Sequence, residues 1–265
     1  MSSFKFLVFL ILVLSFANAG FAGTAIFPQY ADGRWDDGSH YKSTLIVQSY
    51  DGINAVNCNF RVLGGLSTQK FTTPANQVVT ADGNNNLSFA LKSLGVQIFQ
   101  SVGTGSASAG YATLTCVGAF WDAFMLYSYY DANGKKLSEA TVFANYANGS
   151  GNALTPVFAV DYREGAVLGI AIANNESRNG NYNLIVKDMA GNEVGRTVVT
   201  VGASRSIARF LDQWITLPPN FVGKVVINPV EDFAGPAAYV IGLRFTGQIF
   251  STVPPSMCYN GNLCR

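Results

Sequence analysis

Apolar and polar residues alternate along most of this chain in short runs broken by turn chemistry, the pattern of β-strands rather than helices. Residues 41–50 and 55–63 are rich in β-branched and aromatic side chains and are separated by Asp51-Gly52. Residues 123–130 and 135–143 flank Asp131-Ala132-Asn133-Gly134, a hairpin signal. Residues 182–188 and 193–201 flank Met189-Ala190-Gly191-Asn192 in the same way, and 222–229 and 237–245 continue the series. Turn residues recur about every 8–12 positions, the rhythm of a β-sandwich or barrel. One stretch departs from it. In residues 206–215 the apolar Ile207, Phe210, Leu211 and Trp214 recur at helical spacing, which predicts a short helix closing one end of a sandwich. Residues 94–109, with Gly103-Thr104-Gly105-Ser106, read as a mobile loop.

The second half of the chain echoes the first. Residues 110–116 align with 223–229 without a gap, and Val117, Phe120, Gly134 and Ser138 fall on Val230, Phe233, Gly247 and Ser251. Residues 44–47 and 169–172 form an earlier pair at a similar separation. A repeat this long implies duplicated domains rather than a solenoid. The polar stretch 145–152 is the natural boundary. The expected organisation is all-β, with two tandem immunoglobulin-like β-sandwich domains, 20–147 and 153–253. A short helix lies in the second, and a cysteine-loop tail covers 254–265.

The first residues read as an export signal. Lys5 is followed by an apolar run over 6–16 and by Ala17-Asn18-Ala19, a small-x-small cleavage signature. The run is short for a membrane span, which needs about 20 residues. Cleavage after Ala19 is expected, giving a secreted or cell-surface protein, or a periplasmic one, with no membrane span. Without Lys5 the basic and acidic residues balance, so nothing favours a nucleic-acid partner. Charged residues make up only 12% of the chain and aromatics 13%, a composition opposite to that of disordered chains. Cys58, Cys116, Cys258 and Cys264 form an even set in an exported chain, which points to disulfides. Three connectivities are open. The preferred one is 58–116 within the first domain and 258–264 across a small Asn-Gly loop. A metal site is disfavoured, because no C-x2-C pair is present.

Catalytic chemistry finds little to use. His40 is the one histidine, no Gly-x-Ser-x-Gly elbow is present, and a lone loop histidine reads as a solvated surface residue. No catalytic residue is assigned. Asp32, Asp36 and Asp37 form the densest acidic loop, and calcium is the possible cofactor there. Arg34 opposes a cation, however, and the spacing matches no EF-hand. Aromatics carry the stronger signal. Trp35, Tyr41, Trp121, Tyr127 and Tyr129 are the candidate ligand-binding residues, because aromatic faces stack on sugars or anchor a protein partner. The competing reading is packing. In residues 124–130 both strand faces are largely apolar, as in a strand buried on both sides at a domain interface.

The segment Ile26-Phe27-Pro28-Gln29-Tyr30-Ala31-Asp32-Gly33, followed by the extended run 44–47, resembles the opening of a group of secreted bacterial proteins with an F-P-x-[FY]-A-D-G segment. Residues 165–174 resemble the second-module opening of that group, and 223–227 and 238–244 its closing strands. The chain departs from the pattern at Ser49, where Asn is commoner, and in its cysteine tail. The resemblance implies fold and export and carries over no catalytic residue. The resulting expectation is a non-catalytic extracellular binding or structural module for a glycan or protein partner. The alternatives are a self-assembling surface-layer subunit and a hydrolase. A lectin would show a solvent-facing row of Trp or Tyr flanked by Asn or Asp. A subunit would show a large apolar patch or an open edge strand. A hydrolase would show two carboxylates facing across a cleft.

Overall fold

The computed structural model describes residues 22–64, 67–118, 120–146, 154–231, 235–259 and 263–264. The expected leader, most of the boundary stretch 145–152, and Phe233 lie outside them. The described chain is all-β, and every strand pairing is antiparallel. In chain order the strands are β1 (Ala22–Arg34), β2 (His40–Ser49), β3 (Val56–Leu63), β4 (Lys70–Thr72), β5 (Val78–Thr80), β6 (Asn86–Leu91), β7 (Val96–Ser101), β8 (Ser108–Val117), β9 (Trp121–Tyr130), β10 (Lys136–Phe143) and β11 (Asn145–Tyr146). There follow β12 (Leu154–Asp161), β13 (Val167–Asn174), β14 (Gly180–Asp188), β15 (Glu193–Val201), β16 (Arg205–Phe210), β17 (Val222–Pro229), β18 (Tyr239–Thr246), β19 (Ile249–Val253), β20 (Ser256–Tyr259) and β21 (Leu263–Cys264).

The pairing scheme repeats. In the first half one sheet runs β11-β1-β8-β3-β6 and the other β5-β4-β7-β2-β9-β10, with the end of β1 joining the two. In the second half the orders are β21-β20-β12-β17-β14-β15 and β16-β13-β18-β19. Strand for strand, β12 to β20 pair as β1, β2, β3, β6, β7, β8, β9, β10 and β11 do, except that β1 also pairs with β2 whereas β12 and β13 stay in separate sheets. The echoing segments sit in matching places: β8 between β1 and β3, and β17 between β12 and β14. The β4–β5 hairpin is an addition to the first half. Residues 51–55 make no hairpin, because β2 and β3 belong to different sheets.

Two expectations are corrected. Residues 206–215 form no α-helix. They are the edge strand β16 and a single 3-10 turn, Leu211–Gln213. Ile207 turns toward the second core and Phe210 away from it, while Leu211, Trp214 and Ile215 fill the sandwich end from the turn. A strand running into a tight turn thus mimics helical spacing. Residues 94–109 are not one loop either. Val96–Ser101 pairs with β2 and β4 because Ile98 and Phe99 carry strand-forming side chains into that sheet.

The opening motif has a structural account at each position. Phe27 is buried in the first core. The register of β1 against β8 shifts between Phe27 and Tyr30, and Pro28, which has no N–H to give, occupies that bulge. The bulge bends β1 from its first sheet toward the second, where Gly33 and Arg34 meet Tyr41 and His40. The Tyr30 hydroxyl donates to Gln69 Oε1 at 2.6 Å. Ala31 N–H donates to Ser43 Oγ at 3.0 Å. Gly33 has φ +103°, and a Cβ there would stand 2.4 Å from the Ser106 carbonyl oxygen, so only glycine fits.

Each half has a core, Phe60, Leu114 and Met125 in the first and Phe158, Tyr182 and Ile227 in the second. In the sheet β16-β13-β18-β19 the central strands β13 and β18 are buried on both faces. Ile170, Ile172 and Val240 enter the second core, whereas Ala171, Ile241, Leu243 and Phe250 enter the first. The edge strands β10 and β19 cover each other. Ser138 Oγ accepts from Phe250 N–H at 2.8 Å and donates to its carbonyl at 3.0 Å, and Thr252 Oγ1 donates to the Thr141 carbonyl at 2.7 Å.

Candidate functional site

Where the halves meet, a pocket of about 450 Å³ opens between them. On the first half its wall is Gln29 and Ala31 of β1, Trp35, Tyr41 of β2, Tyr127 of β9, and residues 107–109. The second half supplies residues 169–171 of β13 and 208–210 of β16, together with Gln213, and β18 adds Ile241, Leu243 and Phe245. The volume falls in the usual range for small-ligand pockets, roughly 300–1,000 Å³.

The aromatic side chains here form one continuous series across the junction. Tyr129 meets Tyr41 at 4.9 Å between ring centroids, and Tyr41 stacks on Tyr127 at 5.0 Å. Tyr127 meets Phe250 at 5.2 Å, Phe250 meets Phe245 at 5.1 Å, and Phe245 meets Phe210 edge-on at 5.2 Å. Gly169 makes room for this arrangement, since a Cβ there would stand 3.0 Å from the Phe245 ring. Such pairs contribute about 0.5–1.5 kcal/mol each beyond the area they bury.

Polar groups around the pocket are few. Burial pushes the Tyr127 phenol well above its ordinary range, and Tyr41 and Gln29 share its hydroxyl. Burial also raises the Tyr41 phenol. Gln213 Oε1 accepts from Phe210 N–H at 3.1 Å, which leaves the Gln213 amide nitrogen as a donor. Arg209 is the one charged residue among the described residues of the lining. It stands opposite Ile170 in the β13–β16 register, on the sheet face of Ile170 and Ile207 and not that of Phe210, is exposed, and its side chain has no ion-pair partner among the described residues.

The predicted aromatic residues divide. Trp35 lies at the pocket rim, 54% exposed. Its loop is locked: Trp35 N–H donates to the Ser39 carbonyl at 2.8 Å, and Gly38 N–H to the Trp35 carbonyl at 2.9 Å. Tyr41 and Tyr127 line the pocket, and Tyr129 is buried behind Tyr41. Tyr127 and Tyr129 therefore belong to the packed junction and not to a solvent-facing row. Trp121 lies elsewhere, against Gly23 and the Tyr146 ring at 6.0 Å. Arg209, Phe210, Gln213, Phe245 and Phe250 were missed. Arg209, Phe210 and Gln213 all fell in the segment misread as a helix, and Phe245 and Phe250 gave no signal beyond strand alternation.

The three aspartates do not converge. Asp32 is buried and accepts from Gly103 N–H at 2.8 Å, and burial raises its carboxyl above the usual range against hydrogen bonds from Ser101 and Gly103. Asp37 is exposed and held low by Ser39, whose hydroxyl and N–H both donate to it, at 2.6 and 2.9 Å. Asp36 is exposed. No cluster of three or more His, Cys, Asp or Glu able to hold a metal occurs among the described residues. The histidine reading is corrected. His40 is buried at 5% exposure and stacks on Tyr130 at 4.9 Å, because it begins a strand and not a loop, and burial lowers its pKa. Cys58 and Cys116 are bonded, directly opposite each other on the neighbouring strands β3 and β8. Cys258 is also disulfide-bonded. Its backbone faces Cys264 across β20–β21, and the Cys264 side chain lies outside the described residues. No family model matches this chain, and a comparison with curated proteins finds no match.

Proposed function

We propose that the chain is an exported, non-catalytic binding module, built from two tandem β-sandwich domains, that captures a small ligand or the end of a larger glycan or protein partner at its domain junction. The observation that carries this reading is the pocket walled by both halves, with the locked, exposed Trp35 at its rim. The repeated strand pairing supports duplication of one module. The immunoglobulin-like description rests on the two-sheet core of β2, β3, β7 and β8. The placement of β9 beside β2 and of β1 beside β8, and a disulfide within one sheet, set these modules apart from antibody domains. Export is supported by the disulfides, which persist in oxidising compartments, and the resemblance to secreted bacterial proteins belongs to the same reading. The proposal calls on no cation.

The test is a glycan-array and pull-down screen with the purified protein and its Trp35→Ala variant. A ligand captured by the wild type and lost by the variant supports the reading. Capture unaffected by Trp35→Ala places recognition elsewhere and overturns it.

A second reading, an assembling subunit, is favoured by one feature. At the far end of the first half, Tyr50, Ile53, Leu94, Val96 and Phe120 are all large, apolar and more than half exposed. Their loops are tied together. Tyr50 N–H donates to the Phe120 carbonyl at 2.7 Å, Leu94 N–H to the Asp51 carbonyl at 3.0 Å, and Ile53 N–H to Asp51 Oδ1 at 2.8 Å. Light scattering that finds large oligomers, dissolved by Ile53→Asp with Phe120→Asp, would put this reading first.

A further inference from the structure

We infer that the partner at the junction is an extended polypeptide end, which pairs as an added strand with β16 and drops an apolar side chain into the pocket. The inference rests on the binding-module reading above and names the class of its partner. The strand follows from the edge. β16 pairs with β13 alone, so its other side is a sheet edge. Phe210 N–H donates to Gln213 Oε1 at 3.1 Å and therefore points away from β13. Along an antiparallel pair, successive residues turn their backbone groups toward the partner and away from it in alternation. Ser206 and Ala208 thus present their N–H and C=O groups at the same edge as Phe210, and no hydrogen bond from another described segment reaches them there. Such an edge is a template for one more strand.

The edge borders the pocket. Ala171, Ile241 and Leu243 of the inner strands are buried and form its depth, whereas Ala208 and Trp35 are exposed and stand at its mouth. A strand laid along β16 therefore crosses the mouth. Every second residue of that strand shares the sheet face of Ala208 and Phe210, which is the face of the pocket. Those positions call for apolar side chains, because the depth of the pocket has few groups to replace the water of a polar one. The intervening positions share the opposite face with Arg205, Ile207 and Arg209. Both arginines are exposed, and neither belongs to the four described ion pairs. Acidic residues at those positions complement them across the ladder. A second copy of β16 would instead bring two further arginines to that face, so the fitting partner is a different segment, alternately apolar and acidic.

Calorimetric titration of the purified protein with the blocked heptapeptide Glu-Val-Glu-Phe-Glu-Val-Glu tests the inference. Three further peptides accompany it: one with glutamine in place of glutamate, one N-methylated at the apolar residues, and one N-methylated at the glutamates. The two methylated forms lose the N–H groups of opposite strand edges. One of them should bind at least about tenfold more weakly and the other nearly as well as the parent, because one edge alone meets β16. This comparison leaves the protein unaltered. Ala208→Pro removes an edge N–H where a strand tolerates proline. It should weaken the parent peptide about fivefold with an unchanged melting temperature. The glutamine peptide should bind about threefold more weakly than the parent, a gap that closes in the Arg205→Gln, Arg209→Gln variant. Equal binding of the parent and both methylated forms, or unchanged affinity in a folded Ala208→Pro, overturns strand addition. Equal affinity for the glutamate and glutamine peptides overturns the acidic assignment. Glycans bound by the wild type and lost in Trp35→Ala, with no peptide bound, overturn the inference and leave the binding-module reading standing. Silence from every peptide and from the glycan and pull-down screens ends both.

Discussion

The Tyr127 ring of the first half lies 5.2 Å from the Phe250 ring of the second, and this contact joins two aromatic series that the chain builds more than a hundred residues apart. Phe250 is further clasped at its backbone by Ser138 of the first half. The packing at this junction gives the pocket its walls.

Phe250→Ala should cost about 3–5 kcal/mol in urea unfolding, as expected for a buried ring left as a cavity. Tyr127→Phe, which removes only a hydroxyl, should cost about 1 kcal/mol. A double-mutant cycle with Tyr127→Leu and Phe250→Leu should return a coupling of about 0.5–1.5 kcal/mol. Strictly additive losses would mean that the rings do not support each other.

The Cys58–Cys116 bridge closes a sequence separation of 58 residues. The paired Cys58→Ser, Cys116→Ser variant should lose about 2–5 kcal/mol of stability, chiefly by restoring freedom to the unfolded chain. Mass mapping of the wild type should find both residues in one bridged fragment. Free thiols at these positions would contradict the arrangement.

Asp32 should give the protein a component of stability that falls as pH rises. Burial raises its folded carboxyl pKa above the ordinary 3.8. The folded state therefore holds the proton more tightly than the unfolded chain. The contribution is complete below the unfolded value and disappears as pH rises through the folded one. Asp32→Asn removes the titration and keeps an oxygen that can accept from Gly103 N–H. The melting temperature of the variant, relative to wild type, should climb between about pH 3 and pH 6. A decline over that window would reverse the assignment.

Calcium should leave the acidic loop unmoved. Asp32 is already engaged with Gly103 and Asp37 with Ser39, and Asp36 alone offers too few oxygens for a cation that takes about 6–8. Millimolar calcium chloride should shift the melting temperature no more than sodium chloride of equal ionic strength. A rise of several degrees that Asp36→Asn with Asp37→Asn abolishes would place a cation there.

Strand alternation was readable because it is local: a side chain's face follows from its position within a few residues. The runs 193–201 and 222–229 are strands over the same bounds in the structure, and the turn at residues 131–134 joins β9 to β10. The Cys58–Cys116 pairing was readable for a similar reason, since each cysteine lay in an evident strand of one half. The helical reading of residues 206–215 failed because Ile207, Phe210, Leu211 and Trp214 straddle a strand and a turn, and spacing alone does not distinguish that junction from a helix. His40 was misplaced because its burial comes from Tyr130, ninety residues away in the chain.

Alone, the sequence determined that this chain builds antiparallel strands, where most of them run, and that its halves echo each other. Tertiary structure alone decided that Tyr41, Tyr127 and Tyr129 pack together and meet Phe250 across the junction, and that Trp35 stays at its rim. An apolar face declares that it must be covered; which surface covers it depends on contacts between residues far apart in the chain, and no local pattern records them.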